Sequence, residues 1–297
     1  MEKIGQKRLE QALLKILKNR NFGHAIIFSG NDQLAVKQVS KWFAEMLICQ
    51  KPKLNKPCNN CPACLSIARN EQTLITILNP ENQHYSVEQI RNLKKDLALK
   101  NSLNLNRAVV LNEIQYLRDS AANALLKVLE EPGKNTYFIF TANNILSVLK
   151  TLSSRAIHFI IQPVAKTVIE KALKSKDFSK KDIELALKLY PGKFLKVLEL
   201  LENTADFEEF KKDYLKISKL LTSNRLERLN LSDMLNKNKT DHNQKENFQK
   251  LINILIAQIR LDPGYMKYLP KLMHSLKLLQ TNANPKLLFE SILIQIP

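Results

Sequence analysis

Five short apolar runs, each closed by a polar or turn-forming residue, divide the first half of the chain. Runs of this kind are typical of buried β-strands, and they lie at 24–30, 73–78, 107–113, 136–143 and 156–163. Between them, apolar residues recur at helical spacing, which predicts helices over 6–20, 34–48, 86–97 and 120–131. Strands and helices that alternate in this way indicate a parallel sheet with crossover connections. The pattern therefore predicts an α/β domain over residues 1–162.

The strand pattern disappears after about residue 164, and only helical periodicity remains. Helices are predicted over 166–176, 179–190, from the Pro191-Gly192 break to Leu201, and over 207–221, 248–260, 266–280 and 285–295. The polar segment 236–247 is predicted to be a loop. We therefore predict a small helical domain over 163–203 and an all-α domain over 204–297.

The composition is that of an ordinary folded protein, with 44% hydrophobic and 25% charged residues among 297. No run approaches the ~20 apolar residues of a membrane span, and the charged N-terminus does not resemble a signal peptide. We therefore expect a cytoplasmic protein with no membrane partner. Lys and Arg total 46 against 28 Asp and Glu, which gives a net charge of +18. That charge favours a nucleic-acid partner, although a Lys-rich composition throughout the chain explains it equally well.

All four cysteines of the chain lie close together, at Cys49, Cys58, Cys61 and Cys64. In a reducing compartment such clustering favours a metal site over disulfides. Two-residue gaps let neighbouring thiolates point at one centre, and four thiolates suit a structural, tetrahedral Zn²⁺ site. We predict structural zinc. An iron–sulfur cluster is one alternative, because the last three cysteines match C-x2-C-x2-C, and a metal-free cluster is another.

A phosphate-binding loop is expected where the first strand meets the second helix, but the sequence there is degenerate. A functional loop reads G-x-x-x-x-G-K-[ST], in which glycines let backbone N–H groups wrap the phosphates and Lys neutralises their charge. Gly30 is present. However, Ala35 replaces the second glycine, Val36 the lysine and Lys37 the hydroxyl residue. Asp32 would also repel a phosphate, so we predict a plain strand-to-helix turn.

The acidic motif that should hold magnesium is degenerate as well. It requires an apolar strand that ends in Asp-Glu, whereas the strand over 107–113 ends in Asn112-Glu113. A neutral amide is a poor ligand for a hard cation that prefers carboxylate and water. The two defects together predict an ATPase-shaped domain to which ATP is not expected to bind.

These features resemble one family, the delta-prime subunits of the bacterial DNA polymerase III clamp loader, which are AAA+ proteins. The most specific segment is NALLKVLEEP at 123–132, which is similar to the family's N-A-L-L-K-x-L-E-E-P. The four cysteines, the Asn112-Glu113 strand, Ser154-Arg155 and the N-A-N-P segment at 282–285 also follow the family's order. The likeness covers nearly the whole chain.

The resemblance implies an α/β AAA+ domain of the P-loop type with a zinc module at 49–64, then a helical lid domain, then an all-α collar domain for oligomerisation. It implies a clamp-loader subunit that acts with gamma/tau and delta subunits in DNA replication. Through that complex it would meet primed DNA and the sliding clamp, as part of a DNA-directed DNA polymerase holoenzyme, a nucleotidyltransferase. No catalysis is then expected from the isolated chain.

By the same resemblance, Arg155 is a trans arginine finger that acts on ATP bound to a neighbouring gamma subunit. Ala156 departs from the family's S-R-C motif, since it replaces the Cys. From the residues alone, Arg155 is as readily a surface or salt-bridge arginine at a strand entrance. Thr141 and Asn143 lie where AAA+ proteins place a phosphate-sensing residue, and without ATP we expect that role to be vestigial.

Two other interpretations stay open at this point. A gamma/tau-like ATPase subunit with residual nucleotide binding would share the cysteine module and the E-E-P run, but it is expected to keep an intact phosphate loop. A DNA-binding module with no loader role would rest on the charge of +18 and on the Lys-rich segment 166–196. The alternative interpretation of that segment is a helix face that is exposed to solvent and binds no DNA.

Overall fold

The chain divides after residue 169 into two compact units, Met1–Ile169 and Glu170–Pro297. The computed structural model describes residues 6–19, 22–69, 74–98, 105–223, 227, 241–279 and 283–295. All of the strands within these ranges lie in the first unit. The finer boundaries expected at residues 162 and 203 stay predictions.

The first unit is built on a five-stranded sheet in the order β2-β3-β4-β1-β5. Its strands are β1 (Ala25–Ser29), β2 (Ile75–Leu78), β3 (Arg107–Leu111), β4 (Thr136–Ala142) and β5 (Ile157–Ile160). All the pairings are parallel, and Ile27 of β1 aligns with Phe140 of β4 and with His158 of β5. The predicted α/β sheet with parallel strands is confirmed.

Helices precede β1 and lie in the connections between the strands. They are α1 (Lys7–Asn19), α2 (Gln33–Ile48), α3 (Pro62–Ala68), α4 (Val87–Ala98), α5 (Asp119–Glu130) and α6 (Lys150–Ser153), with short 3₁₀ turns at Ile114–Tyr116 and Ile145–Ser147. Helix α4 begins with a capping box. The hydroxyl of Ser86 accepts the N–H of Gln89 at 3.1 Å, and the Gln89 side chain accepts the N–H of Ser86 at 2.9 Å.

The sheet is apolar on both faces because helices cover both. Strands β1 and β4 are buried along their whole length. On one face Phe28 packs with Phe43 of α2, and on the other Phe138 lies in the same core as Leu125 of α5. This packing fixes the carboxyl ends of β1, β3 and β4 side by side, and the polar site described below lies at that edge.

The second unit is helical. Its helices are α7 (Lys166–Lys174, which begins before the division), α8 (Lys180–Leu189), α9 (Phe194–Glu202), α10 (Thr204–Thr222), α11 (Asp241–Ile259), α12 (Leu269–Leu278) and α13 (Pro285–Gln295), with a 3₁₀ segment at Pro263–Tyr268. Helix α11 buries Phe248 against Phe289 of α13, with ring centroids 5.4 Å apart.

The loop predicted over 236–247 is wrong for residues 241–247, which form the first turns of α11. The remaining residues, 236–240, lie outside the described residues. The polar composition of 241–247 does not prevent a helix there, because the buried Phe248, Leu251 and Leu255 that follow stabilise α11 by packing. None of the helices that the structure describes is both long and apolar enough to span a bilayer.

Candidate functional site

The turn between β1 and α2 is shaped by a close backbone approach at Gly30 and by a capping carboxylate at Asp32. A Cβ atom at Gly30 would lie 2.6 Å from the carbonyl oxygen of Ile161, so this glycine is required by the close approach of the segment after β5. Asp32 is buried and caps α2, since its carboxylate accepts the N–H of Ala35 at 3.3 Å. The positive end of α2 therefore already faces a carboxylate of this chain.

Gln33 lies across the ends of two strands at the same edge. Its side-chain amide donates to the carbonyl oxygens of Gly30 at 2.7 Å and of Ala142 at 3.2 Å. These contacts tie the loop after β1 to the end of β4. Gln33 was not predicted as a site residue, although its position inside the degenerate loop was a usable signal.

Lys37 forms an ion pair with Glu113. The ammonium nitrogen lies 2.5 Å from Oε1 of the carboxylate, and the side chains are 42% and 25% exposed. Glu113 adopts a left-handed backbone conformation with φ 56°, which is uncommon for a residue other than glycine and directs the chain away from β3. The structure thus brings the residues of the two degenerate motifs together, and they neutralise each other.

Asn112 is buried in a network of neutral polar groups. Its amide donates to Oδ1 of Asn79 at 2.9 Å, and its Oδ1 accepts the hydroxyl of Thr141 at 3.2 Å. The Thr141 hydroxyl in turn accepts the N–H of Glu113 at 2.9 Å. Thr141, expected at a sensing position, therefore contacts the residue that stands in for the magnesium ligand.

Two members of this network were not found from the sequence. Asn79 follows β2 directly, and a polar residue at a strand's carboxyl end was a signal for it. Tyr85 donates its hydroxyl to the carbonyl oxygens of Leu78, at 3.0 Å, and of Asn112. Burial, helped by the charge of Glu113, raises the pKa of Tyr85, so the phenol stays protonated and remains a donor. The backbone N–H of Asn143 donates to the Gln115 side chain at 3.4 Å.

The four cysteines converge on one point. Cys49 follows the last residue of α2, Cys61 and Cys64 lie at the start of α3, and Cys58 lies in the connecting loop. All four Sγ atoms lie within 4.8 Å of one another. Cys49, Cys61 and Cys64 are buried, so the cluster can hold a metal ion between the loop and the two helices.

Backbone N–H groups around the cluster favour thiolates. The N–H of Cys58 lies 3.3 Å from Sγ of Cys49, and the N–H of Cys61 lies 3.3 Å from Sγ of Cys58. The N–H of Asn60 acts most strongly on Cys58 and, with that of Cys61, lowers its pKa to about 6 against the opposing effect of burial. Burial raises the pKa of Cys64 to about 12. Binding of a cation would favour deprotonation of all four thiols.

Arg155 follows α6 and precedes β5, on the surface of the first unit. Its Nη1 donates to the carbonyl oxygen of Thr151 at 3.1 Å, and its Nη2 lies 3.3 Å from Oε1 of Glu130. The Arg155 side chain is 45% exposed. The neighbouring Ala156 packs against the apolar core below it, which explains how this position tolerates a residue other than Cys.

The other expected features are placed as follows. Asn284 of the N-A-N-P segment caps α13, since its side chain accepts the N–H groups of Lys286 and Leu287 at 3.0 and 3.2 Å. Asn282 of the same segment lies outside the described residues.

In the segment 166–196, most of the lysines are exposed, and Lys196 lies over the ring of Tyr190. A DNA contact for these lysines stays a prediction.

Comparisons with known sequences identify a family and several relatives that this chain resembles. The profile of the family described as DNA polymerase III, delta subunit, matches residues 5–165. The chain is 31% identical over 144 residues to the DNA polymerase III subunit delta' of Buchnera aphidicola subsp. Schizaphis graminum, which covers 48% of this chain and 44% of that protein. It is 30% identical over 195 residues to the delta' subunit of Haemophilus influenzae, which covers 65% of this chain and 59% of that one.

The likeness extends to a related fold. A DNA polymerase III gamma subunit-related protein of Thermotoga maritima superimposes with a TM-score of 0.63, over 97% of each chain, at 19% identity. At that identity the superposition shows the shared fold alone. The chain spans about half the length of the curated delta' relatives that it matches. Because the profile covers more than half of its residues, the chain belongs to the DNA polymerase III delta-subunit family of clamp-loader proteins, as the run at 123–132 indicated.

Proposed function

We propose that this chain is a clamp-loader subunit that lacks an ATP site of its own and supplies Arg155 to the ATP site of a neighbouring subunit. The observation that carries the proposal is the pairing of Lys37 with Glu113 beside a buried Asn112. Residues in the places that would bind phosphate and magnesium instead bind one another.

The turn after β1 offers little to a triphosphate. Val36 replaces the lysine that would neutralise phosphate charge, and it is buried in the core. The carboxylate of Asp32 caps α2 and repels an anion at the helix N-terminus. The side chain of Gln33 occupies the strand ends with its own hydrogen bonds.

The donor set also does not fit magnesium. Mg²⁺ is bound in such sites through carboxylates together with substrate phosphates and water. Asn112 offers one amide oxygen, which already accepts the Thr141 hydroxyl, and the Glu113 carboxylate is neutralised by Lys37. A functional site would have to break both contacts before it could coordinate a cation.

Arg155 suits action on a phosphate outside its own chain. A guanidinium placed in trans stabilises charge on a transferring phosphoryl group, an effect of about 10³–10⁵ in rate in well-studied GTPases. The side chain is nearly half exposed and two of its nitrogens are held by Thr151 and Glu130. The planar guanidinium has five N–H donors, so these two contacts leave other N–H groups able to donate to phosphate oxygens.

The cysteine cluster is proposed to hold structural zinc. In a tetrahedral site with Zn–S distances of ~2.3 Å, the sulfur atoms lie roughly 3.8 Å apart, which fits four Sγ atoms within 4.8 Å of one another. Cys49, Cys58, Cys61 and Cys64 would close the coordination sphere, so the ion would stabilise the loop and leave no open position for catalysis.

The partners proposed are gamma/tau and delta subunits in a ring, with primed DNA and the sliding clamp reached through that ring. Residues 163–203 would form the lid and 204–297 the collar that assembles the ring. ATP at the subunit interfaces would then shift the ring toward the state that opens the clamp.

Nucleotide binding by the isolated chain tests the first part of this proposal. Titration with magnesium and ATP is expected to show no saturable binding up to millimolar concentration. Tight, stoichiometric binding that is lost in Lys37→Ala would contradict it and would favour a gamma/tau-like ATPase. Assembly is tested separately, by mixing the chain with the gamma and delta homologues of the same organism and measuring the mass of the complex.

A further inference from the structure

We propose that Glu130 is a positioning residue for Arg155, which holds the guanidinium in the orientation that meets a neighbouring subunit's ATP. This inference rests on the proposed arginine-finger function of Arg155. Glu130 is the last residue of α5 and lies 25 positions before Arg155 in the chain. Nothing in the sequence pattern connects the two residues, and the fold brings them together.

Two contacts from different directions fix the guanidinium. The carboxylate of Glu130 accepts a hydrogen bond from Nη2 at 3.3 Å, and the carbonyl oxygen of Thr151 accepts one from Nη1 at 3.1 Å. The first acceptor belongs to α5 and the second to α6, so the plane of the group is defined by two separate elements. A flexible arginine would otherwise lose side-chain entropy on meeting a phosphate, and orientation before the encounter removes part of that loss.

Stability does not account for the position of Glu130. A carboxylate in the last turn of a helix opposes the helix dipole. The ion pair with Arg155 is exposed on both sides, at 45% and 56%, and exposed pairs contribute little to folding. The two effects are of similar size and opposite sign, which leaves orientation of Arg155 as the effect that the contact exerts.

The chain provides a matched control in the next residue. Glu131 is also exposed and carries the same charge at the same end of α5, yet the ion pair to Arg155 is made by Glu130. Glu131→Gln therefore removes the same charge from the same helix end without removing the contact. Any effect of Glu130→Gln that Glu131→Gln does not share reports on the contact with Arg155.

The experiment measures steady-state ATP hydrolysis by the complex reconstituted with gamma and delta homologues, with clamp and primed DNA present. Glu130→Gln, Glu130→Ala, Glu131→Gln, Arg155→Ala and the double variant Glu130→Gln/Arg155→Ala are compared. We expect Glu130→Gln and Glu130→Ala to lower kcat by about threefold to fivefold with the KM for ATP unchanged. Glu131→Gln should match the wild type, and Glu130→Gln should have no further effect once Arg155 is removed.

Each other outcome overturns the proposal in a distinguishable way. If Arg155→Ala slows hydrolysis and Glu130→Gln does not, Glu130 has no positioning role while the arginine finger stands. A faster rate in Glu130→Gln would show that Glu130 restrains Arg155 instead of orienting it. An equal loss in the presence and absence of Arg155 would show that Glu130 acts through another residue. If Arg155→Ala leaves hydrolysis unchanged, the finger itself fails.

Discussion

The ammonium of Lys37 lies 2.5 Å from the carboxylate of Glu113, so the residues left at the two degenerate nucleotide motifs are paired with each other. Lys37 stands one place beyond the usual phosphate-binding lysine, and Glu113 follows the strand that should end in Asp. Since each neutralises the other, neither presents an uncompensated charge to a phosphate or a cation. We propose that this pair is the physical reason why the chain has no ATP site of its own.

Lys37→Ala is expected to leave ATP hydrolysis by the reconstituted loader unchanged, because Lys37 forms an ion pair with Glu113 and is proposed not to bind phosphate. The pair is partly exposed, so its loss should lower the free energy of unfolding by no more than about 1 kcal/mol. Hydrolysis by the complex and urea unfolding of the isolated chain are the two measurements. A large loss of hydrolysis in a variant that still assembles would show that Lys37 binds nucleotide.

Gly30→Ala is expected to destabilise the first unit by about 1–3 kcal/mol. The added Cβ would lie 2.6 Å from a backbone carbonyl oxygen of Ile161, so a backbone segment must move. Gly133→Ala is the matched control, since its nearest contact would be an ordinary 3.5 Å. Urea unfolding of both variants checks this. Equal stability of the two would mean that the segment after β5 yields at no cost.

Elemental analysis of the purified chain is expected to find about one zinc ion per molecule, as a closed site of four thiolates requires. Removal of the ion with a chelator, or Cys58→Ser, should lower the melting temperature because metal binding contributes to folding. The chain has no other cysteine, so thiol titration reports on this cluster alone. Iron with a visible absorption band would show an iron–sulfur cluster instead.

Asp182→Asn is expected to reduce stability at pH 7 and to have a vanishing effect in acid. The hydroxyl of Ser179 first, and then Lys211, lowers the pKa of Asp182 against the effect of burial. A carboxyl with a lowered pKa in the folded state stabilises it above the unfolded value, near pH 4, and that contribution is lost as pH falls through the folded value.

The measurement is urea unfolding of both proteins at pH 7 and near pH 3. A difference of about 0.5–1 kcal/mol at pH 7 is expected for an acidic residue in the first turn of a helix. Glu184→Gln serves as the control, since its contact with Lys180 is an exposed pair at 3.8 Å. A difference between wild type and Asp182→Asn that persists unchanged at pH 3 would contradict the assignment.

The sheet could be predicted because the signals that form it are local. Each strand of the first unit is a short apolar run, and covering helices on both faces require such runs. The cysteine cluster could be predicted for a similar reason, since its ligands lie close in the sequence. By contrast, the start of α11 at Asp241 was missed because a polar segment gives no periodic signal, although packing from Phe248 onward stabilises the helix.

The contacts within the candidate site could not be predicted. Lys37 and Glu113 are 76 positions apart, and Thr141 and Asn112 are 29 apart. Side-chain pairs of this kind depend on which strand ends are neighbours in the sheet, and the identity of a single residue does not indicate that order. The sequence indicated that the nucleotide motifs were degenerate, but only the fold shows that their residues neutralise each other.

The most direct test of the central claim is single-turnover ATP hydrolysis by the complete loader that contains Arg155→Ala in this chain. Assembly is verified in parallel by the mass of the complex. We expect normal assembly and a hydrolysis rate at least about tenfold lower at the ATP site that borders this chain. A fully assembled complex that hydrolyses ATP at the wild-type rate at every site would contradict it.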